Sequence, residues 1–544
     1  MSGIDGPSAP QPSYGDLTSA DVIVIGAGVG GLTCAAYLSQ MGKRVIVVDQ
    51  HSLAGGNATV FEHEGYEFDV GVHYLGDCEP GGTFPSMLDP LGIELEWNEL
   101  DPDGYDNFHF ADGMTFSVPK GVEVFRQRLH DAFPAETDCI DAYVDTVRDI
   151  DAELTGGKAP QVFLAHMNTT LGEFLAPFDP SPRLRTIMAA QHGVYALPPD
   201  EASLIMHALV VMHYFKGAYY PKGGGQVIAD HLCEVIRRNG GDIVLRTRVQ
   251  KVIIEDGRAV GVELHAPSPE RQKGVPDEIR APLVISNADL KRTVNDLVGR
   301  EHFGVEYADR VDGFEMALPI FVVYLVLDRD LAAEGFSNGN HFYCETDDIE
   351  GSYAALEEGR LDDQAMVYIT LSSLKDPSNE RLCRPGQTNL QVMTLAPRDH
   401  EFWGVEGGPV AGERYRRNEK YLQRKKELRD AAVAAAAKVI PGLEASIVYE
   451  ETATPITHER YVRSTGGTSY GIKCKPDQVL ALRPSFDTPI PGLYVVGAST
   501  MTGHGIAGTM AGGVACASTV SGVDVRAEVA NRYADSIAAS GARS

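Results

Sequence analysis

Three things are missing from this chain of 544 residues. It has no apolar run long enough to cross a bilayer. The longest, MALPIFVVYLVL from Met316 to Leu327, falls short of the about 20 residues a spanning helix needs and reads as a buried strand. It has no CxxC pair among its eight cysteines, which removes the usual zinc and dithiol signatures. Scattered through so long a chain, the cysteines read as reduced core residues. Residues 1–20 carry no basic residue and no apolar stretch, so they are not a signal peptide. Rich in Ser, Pro and Gly, they are expected to form a disordered tail. Basic residues are scarce overall: 47 Lys and Arg stand against 76 Asp and Glu, a net charge of -29. A chain this acidic is not a general nucleic-acid binder, which needs basic stripes to displace counterions.

What the chain has in excess is glycine, 57 of 544 residues, which fits many tight turns and close approaches of backbone to a ligand. One such place opens the folded region. Residues 21–49 read DVIVIGAGVGGLTCAAYLSQMGKRVIVVD. VIVI is a short β-branched run, as a buried parallel strand should be. Gly26, Gly28 and Gly31 then form GxGxxG, a helical stretch stops at Gly42, and RVIVV leads to Asp49. Each part has a physical task. Gly26 permits the turn, Gly28 lets backbone approach a diphosphate, and Gly31 lets helix pack on strand. The helix N-terminus offers unpaired N–H groups to phosphate, and Asp49 can accept from a ribose hydroxyl. This is a Rossmann-type dinucleotide site, and the order strand, turn, helix, strand, acid is what distinguishes it from a chance glycine turn.

The turn by itself suits NAD or FAD. The residues after Asp49, HSLAGGNATVFEHEGYEFDVGVHYLG, resemble the double-glycine turn of two-domain flavoproteins of the amine-oxidase and carotenoid-desaturase superfamily. Gly55 and Gly56 are its glycines. Many members follow them with an Arg that meets the diphosphate; here Asn57 stands there, able to donate a neutral hydrogen bond. The resemblance implies that backbone at Val249 meets the adenine, and that the late turn Gly497 to Ile506, with Gly505 opening the last helix, lies against the flavin edge. No second strand–GxGxxG–helix unit occurs, so FAD is the expected cofactor and a separate NAD(P) site is not.

Three further stretches, FDVGVHYLG (68–76), MHYFKGAYYPKGG (212–224) and ATPITHERYVRSTGGTSYG (453–471), are similar to segments of retinol saturases and carotenoid isomerases, which group with bacterial phytoene desaturases. The likeness runs from about Asp21 to Ser521. It implies flavin chemistry on C=C or CH–CH bonds of polyene or isoprenoid lipids. One group must then move a proton while the flavin moves a hydride. His73 and Tyr74 are the first candidates, with His504 in the late glycine turn and Tyr214 in the second motif. His213, Tyr214 and Tyr219 are expected along a substrate tunnel; Lys216 is expected to pair with a carboxylate, and His458 is left without a role.

The expected architecture is α/β: a Rossmann-type FAD-binding domain built from residues 21–76, 222–300 and 481–522, with a mixed-sheet substrate domain inserted as 77–221 and 301–480. Residues 523–544 are a tail or helix. PIFVVYLVLD and AMVYITLSSL (365–374) are expected strands of the inserted domain. ERYRRNEKYLQRKKELRD, 413–430, holds eight basic and four acidic residues and continues into AAVAAAAKVIPG as a long helix. It either lies on an anionic membrane surface or carries charge pairs on a solvated face; its thin apolar stripe favours the second.

The first functional reading is therefore an FAD-dependent enzyme that saturates or desaturates a C=C bond of an apolar lipid-like substrate, placed in the cytoplasm. A flavin-dependent cis–trans isomerase is the second. A prenyl-lipid carrier of the Rab escort type and an amine oxidase are the alternatives from other classes.

Overall fold

A computed structural model describes residues 14–156, 159–265, 275–361 and 366–532. Five short strands form a wholly parallel sheet: β1 (Val22–Ile25), β2 (Val45–Val48), β3 (Asp242–Val244), β4 (Leu283–Ser286) and β5 (Leu493–Val495), in the order β3-β2-β1-β4-β5. β1 and β2 are β-branched throughout and buried at every residue, because helices cover one face and the antiparallel strands 249–280 with the segment 290–314 cover the other. Between them runs α1 (Val29–Gln40), buried except at its last residue. Gln226–Arg238 is α2, with its buried side on α1. Gly505–Ser521 is α3, which lies on α1 through small residues. A Cβ at Gly513 would sit 2.5 Å from the Gly30 carbonyl oxygen, so only glycine allows that approach.

Val249 lies outside the parallel sheet. β3 stops at Val244. The chain then turns through Arg246, whose φ is 52°, and Arg246 and Thr247 donate to the His51 and Asp49 carbonyls. Val249 opens an antiparallel hairpin, Val249–Glu255 with Arg258–Leu264.

A second sheet has seven strands in the order 447–453, 320–327, 388–395, 367–370, 340–344, 106–110, 115–118. It is mixed: only 340–344 and 106–110 pair in parallel. The apolar run ending at Leu327 is its strand Ile320–Leu327, paired on both sides. Helices between residues 122 and 215 pack against one end of it.

After a 3-10 turn at Tyr415–Arg417 the basic segment is α-helical only over Glu419–Val439, capped by Asn418, whose Oδ1 accepts from Tyr421 N at 3.1 Å. Its cations are mostly paired: Arg424 with Glu427 at 2.7 Å, Arg429 with Glu450 at 2.7 Å, and Lys426 with Asp430. The charge pairs expected of a solvated face are thus present. Residues 14–20, expected in the tail, pack on the fold: Leu17 is buried and Ala20 N donates to Arg280 O at 3.0 Å; residues 1–13 lie outside the described residues. At the other end Val525–Arg532 is helical and buries Val525 and Val529; 533–544 lie outside the described residues, as does Ala365. Among the described residues no single helix is long and apolar enough to cross a membrane.

Candidate active site

The glycine turn is as tight as its sequence requires. Gly26 has φ 95°. A Cβ on Gly28 would fall 2.8 Å from Asn287 Nδ2, and one on Gly31 would fall 2.6 Å from the Gly26 carbonyl oxygen. The double glycine lies against this turn: Gly55 N donates to Ala27 O at 2.7 Å, and a Cβ on Gly56 would come within 3.0 Å of Gly28 Cα. Asp49 fastens the same corner, its two carboxylate oxygens accepting from Ala27 N and His51 N at 2.7 Å each. Burial raises this carboxyl above its usual range, against the pull of those two N–H groups.

From this turn a cavity of about 2090 Å³ runs past Asn57 and Gly497 to the face of the seven-stranded sheet, where Ile320, Val322, Tyr324 and Met393 line it. Gly26, Gly28, Asp49, Gly55, Gly56, Asn57, Val249, Gly497, Gly505 and Ile506, all singled out from sequence, are on its wall; Gly31 is behind it, packing α1 on β1. The third family-like motif contributes much of the remainder, including His458 and Tyr470. Burial pushes the His458 imidazole down to about 4, and its Nε2 has no partner.

Of the four candidate proton-moving residues, His73 is the one on this wall. Its Nδ1 is buried without a hydrogen-bond partner. Burial, helped by the Lys375 charge, depresses its pKa to about 3, so at neutral pH it is an uncharged imidazole. Tyr74 and Tyr214 stand behind it, stacked with ring centroids 4.4 Å apart. Burial raises both phenols, and Tyr74 OH donates to Asp106 Oδ2 at 3.1 Å. His504 caps α3 beside the cavity, with its ring turned to Cys474 and Tyr470: Nδ1 to Sγ is 3.3 Å, and the two ring centroids are 5.2 Å apart. Burial acts to raise the Cys474 thiol, but His504 and Arg483 outweigh it and bring it down to about 7.

The second motif does not line the cavity. His213 Nε2 accepts from Gly76 N at 2.9 Å, and Tyr219 OH donates to Glu79 at 2.7 Å on the opposite side. The motif instead braces the first one. Leu75 and Gly76 pair with Tyr219 and Ala218, Tyr220 OH donates to Asp69, and Gly225 N donates to Asp69 Oδ1 at 2.8 Å. Lys216 pairs with Asp151 at 3.2 Å, as its sequence setting suggested.

Behind His73 lies a polar cluster that no sequence signal indicated. Lys375 is 1% exposed, and its Nζ donates to the His73 carbonyl at 2.7 Å, Asn340 Oδ1 at 2.5 Å and Thr370 Oγ1 at 2.6 Å. Asn340 Nδ2 and Gln191 Nε2 donate to Asp106 at 2.8 Å each. Burial lowers Lys375 to about 7, with Asp106 and Asp69 pulling the other way. Burial likewise raises Asp106 and Asp69 to about 6 each, opposed by their hydrogen bonds.

The profile of the flavin containing amine oxidoreductases matches residues 29–521. The chain belongs to that family. It is 27% identical to all-trans-retinol 13,14-reductase of Danio rerio over 92% of this chain and 86% of that protein. It is 24% identical to prolycopene isomerase 1, chloroplastic, of an Oncidium hybrid cultivar, over 97% of this chain and 89% of that one. An oxidoreductase of Methanosarcina mazei shares the fold, with a TM-score of 0.58 at 17% identity over 90% of this chain and 98% of its own.

The cofactor of this family member is FAD, and the crevice fits it. Side-chain-free backbone lines the glycine turn where a diphosphate needs close approach, the start of α3 faces the cavity, and Asn57 Oδ1 is a buried polar atom without a partner there.

Proposed function

We propose that this protein is an FAD-dependent oxidoreductase that adds or removes two hydrogens across a C=C bond of a polyene or isoprenoid lipid. One observation carries the reading: a single cavity joins the glycine cradle to an apolar sheet face, with His73 on its wall. When bound there, FAD supplies a two-electron carrier that exchanges hydride with carbon. The turn Gly26–Gly28, Asp49, the Gly55–Asn57 turn, Val249 and the Gly497–Ile506 segment are the residues that hold it. Ile320, Val322, Tyr324 and Met393 exclude water from an apolar chain and align it along the sheet. His73, uncharged and without a partner at Nδ1, takes a proton from the reacting carbon or returns one at that atom. In the saturating direction His73 must first be protonated, and its depressed pKa makes it a strong acid once charged.

The names of the relatives support a lipid of this class: one reduces all-trans-retinol and another isomerises prolycopene. Isomerisation is the second reading, since it uses the same cavity without net redox change. The test is anaerobic incubation of the FAD-loaded, chemically reduced enzyme with all-trans-retinol and with prolycopene, followed by product mass. A gain of two hydrogens supports saturation, and an isomer of unchanged mass supports the second reading. Unchanged substrate in both cases sinks the proposal. His73→Asn is expected to lower the rate about 100-fold or more, within the range for loss of a general acid–base, while the flavin absorbance of the purified protein stays at the wild-type level.

A further inference from the structure

We propose that Lys375 is a positioning residue for His73, a three-pronged clamp that ties the cavity histidine to the seven-stranded sheet. The inference rests on the reading that His73 faces the substrate.

The geometry singles out this lysine. It sits just beyond the strand Val367–Thr370, in the short helix Ser372–Lys375, 302 residues away from the segment it holds. An ammonium has three protons and no acceptor, and here all three go to neutral oxygens: the His73 carbonyl, Asn340 Oδ1 and Thr370 Oγ1. Among the described residues no carboxylate lies within ion-pair distance of Nζ. The nearest acid along its hydrogen bonds, Asp106, is reached through the Asn340 amide. Burying an ammonium on neutral acceptors costs stability that an apolar residue would not cost, so a lysine at this position asks for a purpose. It has no spare proton to give and is not on the cavity wall, which rules out direct chemistry and leaves orientation.

The clamp acts where orientation is otherwise loose. His73 Nδ1 has no partner, so no side-chain hydrogen bond fixes the ring by that atom. The ring rests against Tyr368 with centroids 6.0 Å apart. Tyr368 OH itself donates to Asn340 Oδ1 at 2.8 Å, so the ring's neighbour and the backbone clamp share one amide. Lys375 Nζ also stands 5.5 Å over the Tyr74 ring, next in sequence to His73. Residues 73 and 74 are thus held from the sheet side by one cation.

The experiment uses the FAD-loaded protein and needs no substrate. Diethyl pyrocarbonate acylates uncharged imidazole, and peptide mass spectrometry reads its rate at each histidine. At pH 6, where Lys375 is charged and both His73 and His458 are uncharged, Lys375→Met should slow labelling of His73 several-fold, because its ring is no longer held toward the cavity. His458, on the same wall but without contact to Lys375, should label at the wild-type rate. Lys375→Arg, which keeps the charge and the donors, should restore most of the His73 rate. An unchanged His73 rate in a Lys375→Met protein that binds FAD overturns the inference. So does an equal slowing at His458, which would mean general loosening. If the Met variant does not take up FAD, Thr370→Val together with Asn340→Leu removes two of the three acceptors, and the same two rates decide. With all-trans-retinol as probe, Lys375→Met should lower kcat about tenfold in the wild-type background and not at all in His73→Asn. Failure of His73→Asn to affect turnover defeats the functional reading while leaving the labelling result to judge Lys375 separately.

Discussion

Gly31 shows how a single hydrogen atom governs a fold. Its missing side chain leaves the Gly26 carbonyl and the Asn287 side chain within 2.8 Å of where a Cβ would sit. Gly31→Val must therefore push α1 off β1, at a cost of about 1–3 kcal/mol or more. Loss of FAD from the purified protein and a lower thermal midpoint are the expected outcomes; a variant that folds and binds flavin normally contradicts the packing role. Lys375 gives a residue-scale prediction about pH. Its folded pKa of about 7 lies below the ordinary lysine value, so between pH 7 and about 10 the unfolded chain holds a proton the folded one lacks. Stability from this group therefore rises with pH in that window. The difference in thermal midpoint between wild type and Lys375→Met should shift in favour of the wild type from pH 7 to pH 9. A difference that stays flat or moves the other way shows that the lysine remains charged.

At the scale of elements, the parallel strands were legible because they are short, β-branched and buried on both faces, a pattern few other elements share. The basic helix was legible in its existence but not its start. Glu413 to Arg417 continue its charge pattern, and only the Asn418 cap fixes where α-helical hydrogen bonding begins. Asn418→Ala removes the acceptor for Tyr421 N and the donor to the Gly404 carbonyl, and is expected to cost about 1 kcal/mol. Denaturant titration reads this; no change would mean water replaces the cap. The two specific motifs, 68–76 and 212–224, were recognisable as strings but not as partners. Tyr219 and His213 read as tunnel residues because nothing local shows that Gly76 lies against His213 or that Tyr219 turns to Glu79.

Over the whole molecule, the crevice is assembled from segments as distant as Gly26, Val249 and Gly497, so FAD held there as proposed would link parts of the chain far apart in sequence. Ligand that binds only the folded state adds about 4 kcal/mol at 1,000 times its Kd. Removing FAD should lower the thermal midpoint and expose the segments around 246–249 and 457–471 to proteolysis, and adding FAD back should reverse both. Equal midpoints with and without flavin would mean the crevice is not where the cofactor binds. The sequence alone determined the cofactor cradle, because a diphosphate demands glycines at fixed spacing and those demands are local. It determined the family for the same reason, through contiguous strings. Only the tertiary structure decided which residues share the cavity. His73 reached the cavity wall, Tyr74, Tyr214 and His504 did not, and Lys375 came to stand behind it from 302 residues away. Such juxtapositions arise from strand order and packing, which bring together side chains whose own neighbours in sequence carry no trace of the meeting.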